Sequence, residues 1–241
     1  MAIWAKLVGG TAGFAIGGPL GALIGAGVGH AVDVGVEALK PEDENATRLT
    51  FTIGVIALSA KMAKADGEVT AEEVRVFRQL FTVPAEEERH VEQVFHRAHQ
   101  STAGFDAYAR QIAGLFETRA SILEDLLDAL FAIAKADGVF HPGEDQYLAD
   151  VAKIFGFGDT AYAAIRARHL GPDEADPYTI LGVDHKASDA EVRTAYHRKV
   201  RDNHPDRVIA EGVPPEFIRV ATERMATINT AYDDIKRQRG L

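Results

Sequence analysis

Hydrophobic and polar positions along the chain fall into three textures. From Leu7 to Gly29 no residue carries a formal charge, and glycine returns at every fourth position: Gly9, Gly13, Gly17, Gly21, Gly25 and Gly29. Coiled as a helix this stretch is roughly 35 Å long, against about 30 Å of bilayer hydrocarbon. Overlapping GxxxG spacing lets two helix backbones close on each other in lipid, because no side chain separates them. In water each of these glycines would cost roughly 1 kcal/mol relative to alanine. The pattern predicts a membrane-associated segment within residues 1–40, spanning or hairpin-shaped since Gly17, Gly18 and Pro19 sit at its middle, and pairing of two copies through the stripe. A flexible glycine-rich tail competes with this reading. A signal peptide fits poorly, because the apolar run is too long.

Residues 41–170 read as helix throughout. Leu49, Ile53, Ile56, Ala60 and Ala63 recur at spacings of three and four, the helical period. Thr70 with Glu73 forms a capping box ahead of Val74, Phe77, Leu80 and Phe81. Pro84 suits a first helical position, and Ile122 to Ile133 is a further strongly apolar run. No segment alternates as a strand would, so the fold class is all-α.

The C-terminal texture, residues 176–241, begins with Asp176-Pro177-Tyr178-Thr179-Ile180-Leu181-Gly182-Val183, a short helix ending at Gly182. Ser188 caps a second helix through Val192, Ala195, Tyr196 and Val200, with Asp189 and Glu191 in its first turn, where the helix dipole favours acids. It stops at Asn203, because Pro205 disfavours helical geometry at His204. Beyond a connecting stretch from Arg207 to Pro214, Phe217, Ala221, Met225, Ile228, Ala231, Tyr232 and Ile235 mark a third amphipathic helix.

The middle region contains a duplication. Ala63-Lys64-Ala65-Asp66-Gly67 recurs as Ala134-Lys135-Ala136-Asp137-Gly138, and the same offset carries Glu73 onto Glu144. A glycine just past a helix end adopts the left-handed conformation cheaply, and Asp satisfies nearby backbone groups, so the repeated unit is a helix, a turn and a helix. Asp66, Glu68, Glu72 and Glu73 around one turn, and Asp137, Glu144 and Asp145 around the other, also raise cation binding. Their spacing is not that of an EF-hand loop, and no metal ligand is assigned. The two Lys-Ala-Asp-Gly turns, each ahead of an acid-rich helix start, resemble the TerB-like helical domain of tellurite resistance over residues 45–168, which implies an interaction domain.

Charge and composition narrow the function. The 26 Lys+Arg against 36 Asp+Glu give a formal net charge of −10. The acidic surplus lies in residues 41–175, whereas 176–241 is balanced. An acidic chain lacks the dense cationic field that nucleic acid demands, so nucleic acid is not the expected partner. With no cysteine, disulfides, thiolate metal sites and cysteine nucleophiles are excluded, and a reducing compartment fits.

The Asp-Pro-Tyr-x-x-Leu-Gly-Val opening, the basic helix, His204-Pro205-Asp206 in a loop and the closing Asn229-x-Ala231-Tyr232 together resemble the J domain of DnaJ co-chaperones over residues 176–241. Arg193, His197 and Arg201, four apart, share one face of the middle helix, with Arg198 and Lys199 alongside. Such a stripe beside an ordered loop can steer an acidic partner surface. The resemblance implies a helical hairpin that docks on a DnaK-type chaperone through His204, Pro205 and Asp206 and the basic face. It implies a regulator of a partner's ATP hydrolysis, not an enzyme, and no cofactor. Pro205 points the His and Asp side chains apart, and no pocket motif accompanies them.

Taken whole, an apolar N-terminal helix beginning with Trp4, a TerB-like middle with its internal repeat and a terminal J domain resemble the membrane-anchored DnaJ-like protein A family of Gram-negative bacteria. The chain departs from general DnaJ proteins in having neither a Gly/Phe linker nor a cysteine-rich zinc domain. The expected domains are 1–40, 41–170 and 176–241. The expected location is the bacterial inner membrane, with the C-terminal domains in the cytoplasm, as a homodimer through the N-terminal helix. The competing reading is a membrane stress or ion-response scaffold in which the TerB-like domain is the main functional unit.

Overall fold

The computed structural model describes residues 18–25, 44–66, 88–100, 104–135, 138–170, 175–214 and 217–241, and every regular element among them is helical. In chain order these are α1 (Gly18–Gly25), α2 (Glu44–Asp66), α3 (Glu88–Gln100), α4 (Phe105–Leu115), α5 (Ala120–Ala134), α6 (Pro142–Ile154), α7 (Asp159–His169), α8 (Pro177–Leu181), α9 (Asp189–Asp202), α10 (Pro205–Ala210) and α11 (Ile218–Arg239).

Helix α2 is the axis of the middle region. The spacing of Leu49, Ile53, Ile56, Ala60 and Ala63 predicts a one-sided stripe, but residues 50–62 are buried on every side, because α3, α4, α5 and α6 all pack around them. Ile53, Val55, Ile56, Leu58 and Met62 are fully buried together with Thr52. A helix apolar all round is a core helix, and period alone does not separate the two cases. Apolar α5 packs beside it and supplies Leu126, Leu127, Leu130 and Phe131 to the same core.

The second copy of the repeated turn behaves as its sequence dictates: Gly138 has φ of 84° and follows the end of α5. Glu144 then turns back to accept the His141 backbone N–H at 2.9 Å, closing the start of α6. Asp145 accepts from Arg166 Nε at 2.9 Å and from the Tyr162 hydroxyl at 2.7 Å. Both carboxylates raised above as cation ligands are therefore engaged within the protein. Asp137 and the first copy's Gly67, Glu68, Glu72 and Glu73, with Thr70 and Pro84, lie outside the described residues.

Of the glycine stripe, Gly21 and Gly25 fall in α1, and Gly9, Gly13, Gly17 and Gly29 lie outside the described residues. Gly18 has φ of 59°, a left-handed geometry through which an α-helix does not continue, so α1 starts there, ahead of Pro19. The Leu20 side chain is buried in the middle-region core, and its backbone N–H donates to Gln111 Oε1 at 2.9 Å. No helix among the described residues is long and apolar enough to cross a membrane.

The C-terminal region has its own core. Asp176 caps α8 by accepting from the Thr179 N–H at 2.9 Å, and Gly182 ends it in the left-handed conformation. Ser188 and Glu191 form a reciprocal capping box on α9. Helices α9 and α11 pair through Tyr196 stacked on Tyr232, ring centroids 4.0 Å apart, above Tyr178, Ile180, Leu181, Val192, Ile228, Ala231 and Ile235. Arg239 ties the chain end back, donating to the Tyr178 hydroxyl at 3.0 Å, to the Ala187 carbonyl at 2.8 Å and to Asp189 at 2.8 Å.

Packing crosses the expected division at residues 170–176. Ala167 of α7 belongs to the C-terminal core, whereas Val208, Val213, Phe217, Val220 and Ala221 join the core built on α2. The stretch expected to be a plain connection after Pro205 is in fact helix α10 through Ala210, because His204 and Pro205 provide an N-cap and a first helical residue.

Candidate chaperone-docking surface

The loop after α9 is built by its own residues. Asn203 closes α9 and is itself buried, its Nδ2 donating to the Lys199 carbonyl at 2.7 Å. His204 then takes an extended backbone, φ −67° and ψ 135°, and its Nδ1 accepts the Asp206 N–H at 3.2 Å. With Nδ1 occupied as an acceptor, the neutral ring carries its proton on Nε2 and presents a donor outward. The side chains of His204 and Asp206 are 51% and 87% exposed. Pro205 fixes φ between them, but it does not point the two side chains apart as expected: His204 Nδ1 lies 3.5 Å from Asp206 Oδ2, because the ring caps the turn that Asp206 enters. The result is a ring donor and a carboxylate acceptor standing in solvent on a stiff turn, which suits recognition of a partner's polar groups.

Arg193, His197, Arg198 and Arg201 of α9 are exposed. Arg201 Nε pairs with Asp202 at 3.0 Å, a surface contact of small worth. Lys199 differs from its neighbours: it is half-buried, and burial, followed by the Arg168 charge, lowers its pKa. Arg193, His197 and Arg201 thus lie exposed along α9 at four-residue spacing, the last of them nearest the loop, whereas Lys199 turns toward Arg168 of α7 and Glu124 of α5.

The sequence reasoning missed a second charged cluster, behind the loop. Asp125 and Asp128 of α5 are buried and face Arg224 of α11, whose Nη1 lies 2.7 Å from Asp125 Oδ1 and 2.5 Å from Asp128 Oδ2. Arg207, the residue after Asp206, reaches Asp125 at 3.3 Å and Glu211 at 2.7 Å. Arg168 stands 3.4 Å from Asp128 and 2.7 Å from Glu124, and His169 Nε2 stands 2.6 Å from Asp128. Burial outweighs Arg224 and Arg207 at Asp125 and raises its pKa. At Asp128 burial also pushes upward, but Arg168, Arg224 and His169 overcome it and hold the carboxyl far below its ordinary range. The available signal was two acids three apart within the apolar run from Ile122 to Ile133, and an arginine on the apolar stripe of α11.

A stiff exposed His-Pro-Asp turn between paired helices, beside a basic face and behind a helical domain, defines a J-domain co-chaperone. Comparison with known proteins agrees. Family models match in order: the co-chaperone DjlA transmembrane domain at residues 1–39, the tellurite resistance protein TerB at 52–167, and the DnaJ domain at 176–239. All three in this order give the domain order of the DjlA co-chaperones, which the chain resembles along its length. Co-chaperone protein DjlA of Photobacterium profundum is 28% identical, the alignment covering 99% of each chain. The protein of the same name from Vibrio cholerae is 27% identical over 79% of this chain and 78% of its own, and that from Photorhabdus laumondii 26% over 82% of each. No solved structure matches.

Proposed function

We propose that the chain docks on a DnaK-type chaperone through His204, Pro205 and Asp206, with Arg193, His197, Arg198 and Arg201 steering the encounter, and stimulates that partner's ATP hydrolysis. The observation that carries this reading is the outward presentation of the His204 ring and the Asp206 carboxylate by a turn whose backbone satisfies itself. The turn engages only the Nδ1 side of the imidazole, and the ring is half exposed, so its outer edge is available to a partner. The chain works on its partner's reaction and carries out none of its own.

The transmembrane-domain match and the relatives associate the chain with a membrane. An ATP-dependent partner works on the cytoplasmic face, so in this reading residues 41–241 lie in the cytoplasm beside the inner membrane. Two copies pair through the glycine stripe, and the TerB-like domain connects the anchor to the J domain.

The test is single-turnover ATP hydrolysis by a DnaK-type chaperone titrated with the full chain. His204→Gln abolishes stimulation and leaves the helical circular dichroism unchanged, because the imidazole supports little packing. Asp206→Asn acts similarly. Arg193→Ala and Arg201→Ala weaken association more at low salt than at high salt, since an exposed charge is screened within about 10 Å at 0.1 M ionic strength. Full stimulation by a folded His204→Gln chain refutes the reading.

A further inference from the structure

We propose that Asp125 and Asp128 of α5 form a buried ionic dock that locks the J domain onto the TerB-like domain through Arg207 and Arg224, making Arg224 a positioning residue for the His204-Pro205-Asp206 turn.

The dock has an apolar part and an ionic part. Phe217 meets the edge of Phe51 with ring centroids 4.7 Å apart, and Val208, Val213, Val220 and Ala221 are buried in the core built on α2. These side chains leave the J domain's own core and complete the other one, so burial of apolar area provides most of the attraction. The ionic part acts differently. Charges taken out of water gain little net stability even when paired, but a buried charge moved off its partner is left uncompensated, at a cost of several kcal/mol. Arg224 Nη1 sits between two carboxylates of the other domain, at 2.7 and 2.5 Å. Sliding or rotating the J domain breaks both contacts at once. The apolar surface holds the two domains together, and Arg224 selects one orientation.

That orientation reaches the loop directly. Helix α10 has only six residues, and its inner side is pinned by buried Val208 and by Arg207, which bonds both Asp125 and Glu211. Glu211 also accepts from the Ser121 hydroxyl of α5 at 2.6 Å. His204 and Asp206 occupy the first turn of the same helix and face solvent. The docked face and the recognition face are therefore two sides of one short element. Lys199, half-buried toward Arg168 and Glu124, marks where the basic helix meets the same junction. Among the described residues Arg224 Nε and Nη2 and Arg168 Nε and Nη1 have no hydrogen-bond partner, so the cluster is not fully satisfied. A half-satisfied polar network costs more than an apolar core, so in the proposed dock this cluster sets orientation rather than adding net stability.

The functional half of this proposal rests on the reading above, whereas the dock itself can be measured alone. The chain has no cysteine, so Gln93→Cys on α3 and Thr230→Cys on α11 accept a pair of nitroxide labels without interference. Labelled full chain, diluted with unlabelled chain in lipid nanodiscs, gives one narrow distance distribution by pulsed electron resonance. Arg224→Gln broadens that distribution and lowers stimulation of a DnaK-type chaperone about fivefold or more, the range of ordinary coupling between sites. Arg224→Lys, which returns a cation to the two carboxylates, restores a narrow distribution and most of the stimulation. Arg224 is buried and touches no partner, so its effect passes through orientation. Ser121→Ala removes only the bond to Glu211 and serves as a milder variant should Arg224→Gln fail to fold.

A broad distribution in the parent chain, or a narrow one in folded Arg224→Gln, overturns the dock. Broadening with undiminished stimulation overturns the positioning role. If the parent chain gives no stimulation at all, the reading of the His-Pro-Asp turn and the positioning role fall together, and the distance distribution alone decides the dock.

Discussion

Asp128 offers the sharpest energetic test of the structure. Its side chain is fully buried and is shared by Arg224 at 2.5 Å, His169 at 2.6 Å and Arg168 at 3.4 Å. Asp128→Asn keeps the shape and removes the charge, leaving two buried guanidinium groups short of one counter-charge. Breaking a buried pair from one side costs about 3 to 5 kcal/mol. Here Arg224 keeps Asp125 and Arg168 keeps Glu124, both at 2.7 Å, so the expected loss is about 3 kcal/mol, at the lower end of that range. The control is Glu223→Gln, which breaks an exposed pair with Arg219 and is expected to cost about 0.5 kcal/mol or less.

The assay is urea unfolding of the full chain in detergent micelles at pH 7, followed by far-ultraviolet circular dichroism. Arg224 keeps Asp125, and Phe217, Val220 and Ala221 stay in the core built on α2, so the two domains still unfold together, in one transition shifted to lower urea. The pH dependence has a definite sign. The folded carboxyl of Asp128 is held below its ordinary value, so its stabilising contribution is complete above the unfolded value of about 3.9 and fades as pH falls below it. The gap between parent and Asp128→Asn narrows accordingly on acidification. A stability within 1 kcal/mol of the parent at pH 7 would show that the carboxylate is solvated rather than held by the buried arginines.

Other outcomes follow from local geometry. An added Cβ at Gly138, φ 84°, or at Gly182, φ 69°, meets no neighbour, so Gly138→Ala and Gly182→Ala each cost about 1 kcal/mol of backbone strain alone, read from thermal melting. Ser188→Ala removes the reciprocal cap of α9 and lowers stability by about 1 kcal/mol in the same assay, with stimulation of the chaperone unchanged once the chain is folded. On the proposed pairing of two copies, Gly17→Leu with Gly21→Leu reduces the signal of a membrane helix-association reporter, whereas Phe14→Leu leaves it intact; equal signals would remove the case for pairing through glycine.

What the sequence disclosed, and what it hid, follows the range of the interactions concerned. Capping is local, so Ser188 at the start of α9, Gly182 at the end of α8 and the stop at Asn203 were legible as short patterns and stand where expected. The exposed His204-Pro205-Asp206 turn was legible for the same reason. The missed helix α10 was a failure to extend that logic, since His204 as N-cap and Pro205 at the first position announce a helix as clearly as they end one. Helix α2 was legible as a helix but not as a core helix. Its burial on every side is set by α3, α4, α5 and α6, which no window along the chain contains.

The ionic dock lies beyond that limit for a further reason. Asp125 and Asp128 are three apart and read as a polar edge on an apolar helix, and Arg224 reads as one of many arginines in a charge-balanced region. Their meaning arises only when residues 96 positions apart meet at 2.5 Å in an apolar setting. There the balance between desolvation and attraction, trivial at the surface, becomes a matter of several kcal/mol. The net charge of −10 is blind to this, because it counts buried and solvated carboxylates alike. A J domain connected by a loose tether could present its His-Pro-Asp turn in any direction. In this chain the helix bearing that turn is also the helix that inserts into the neighbouring core. The direction of the turn is therefore a property of the two-domain unit, and a change at Asp128, remote from every recognition residue, reaches the loop through Arg224 and the packing of α11.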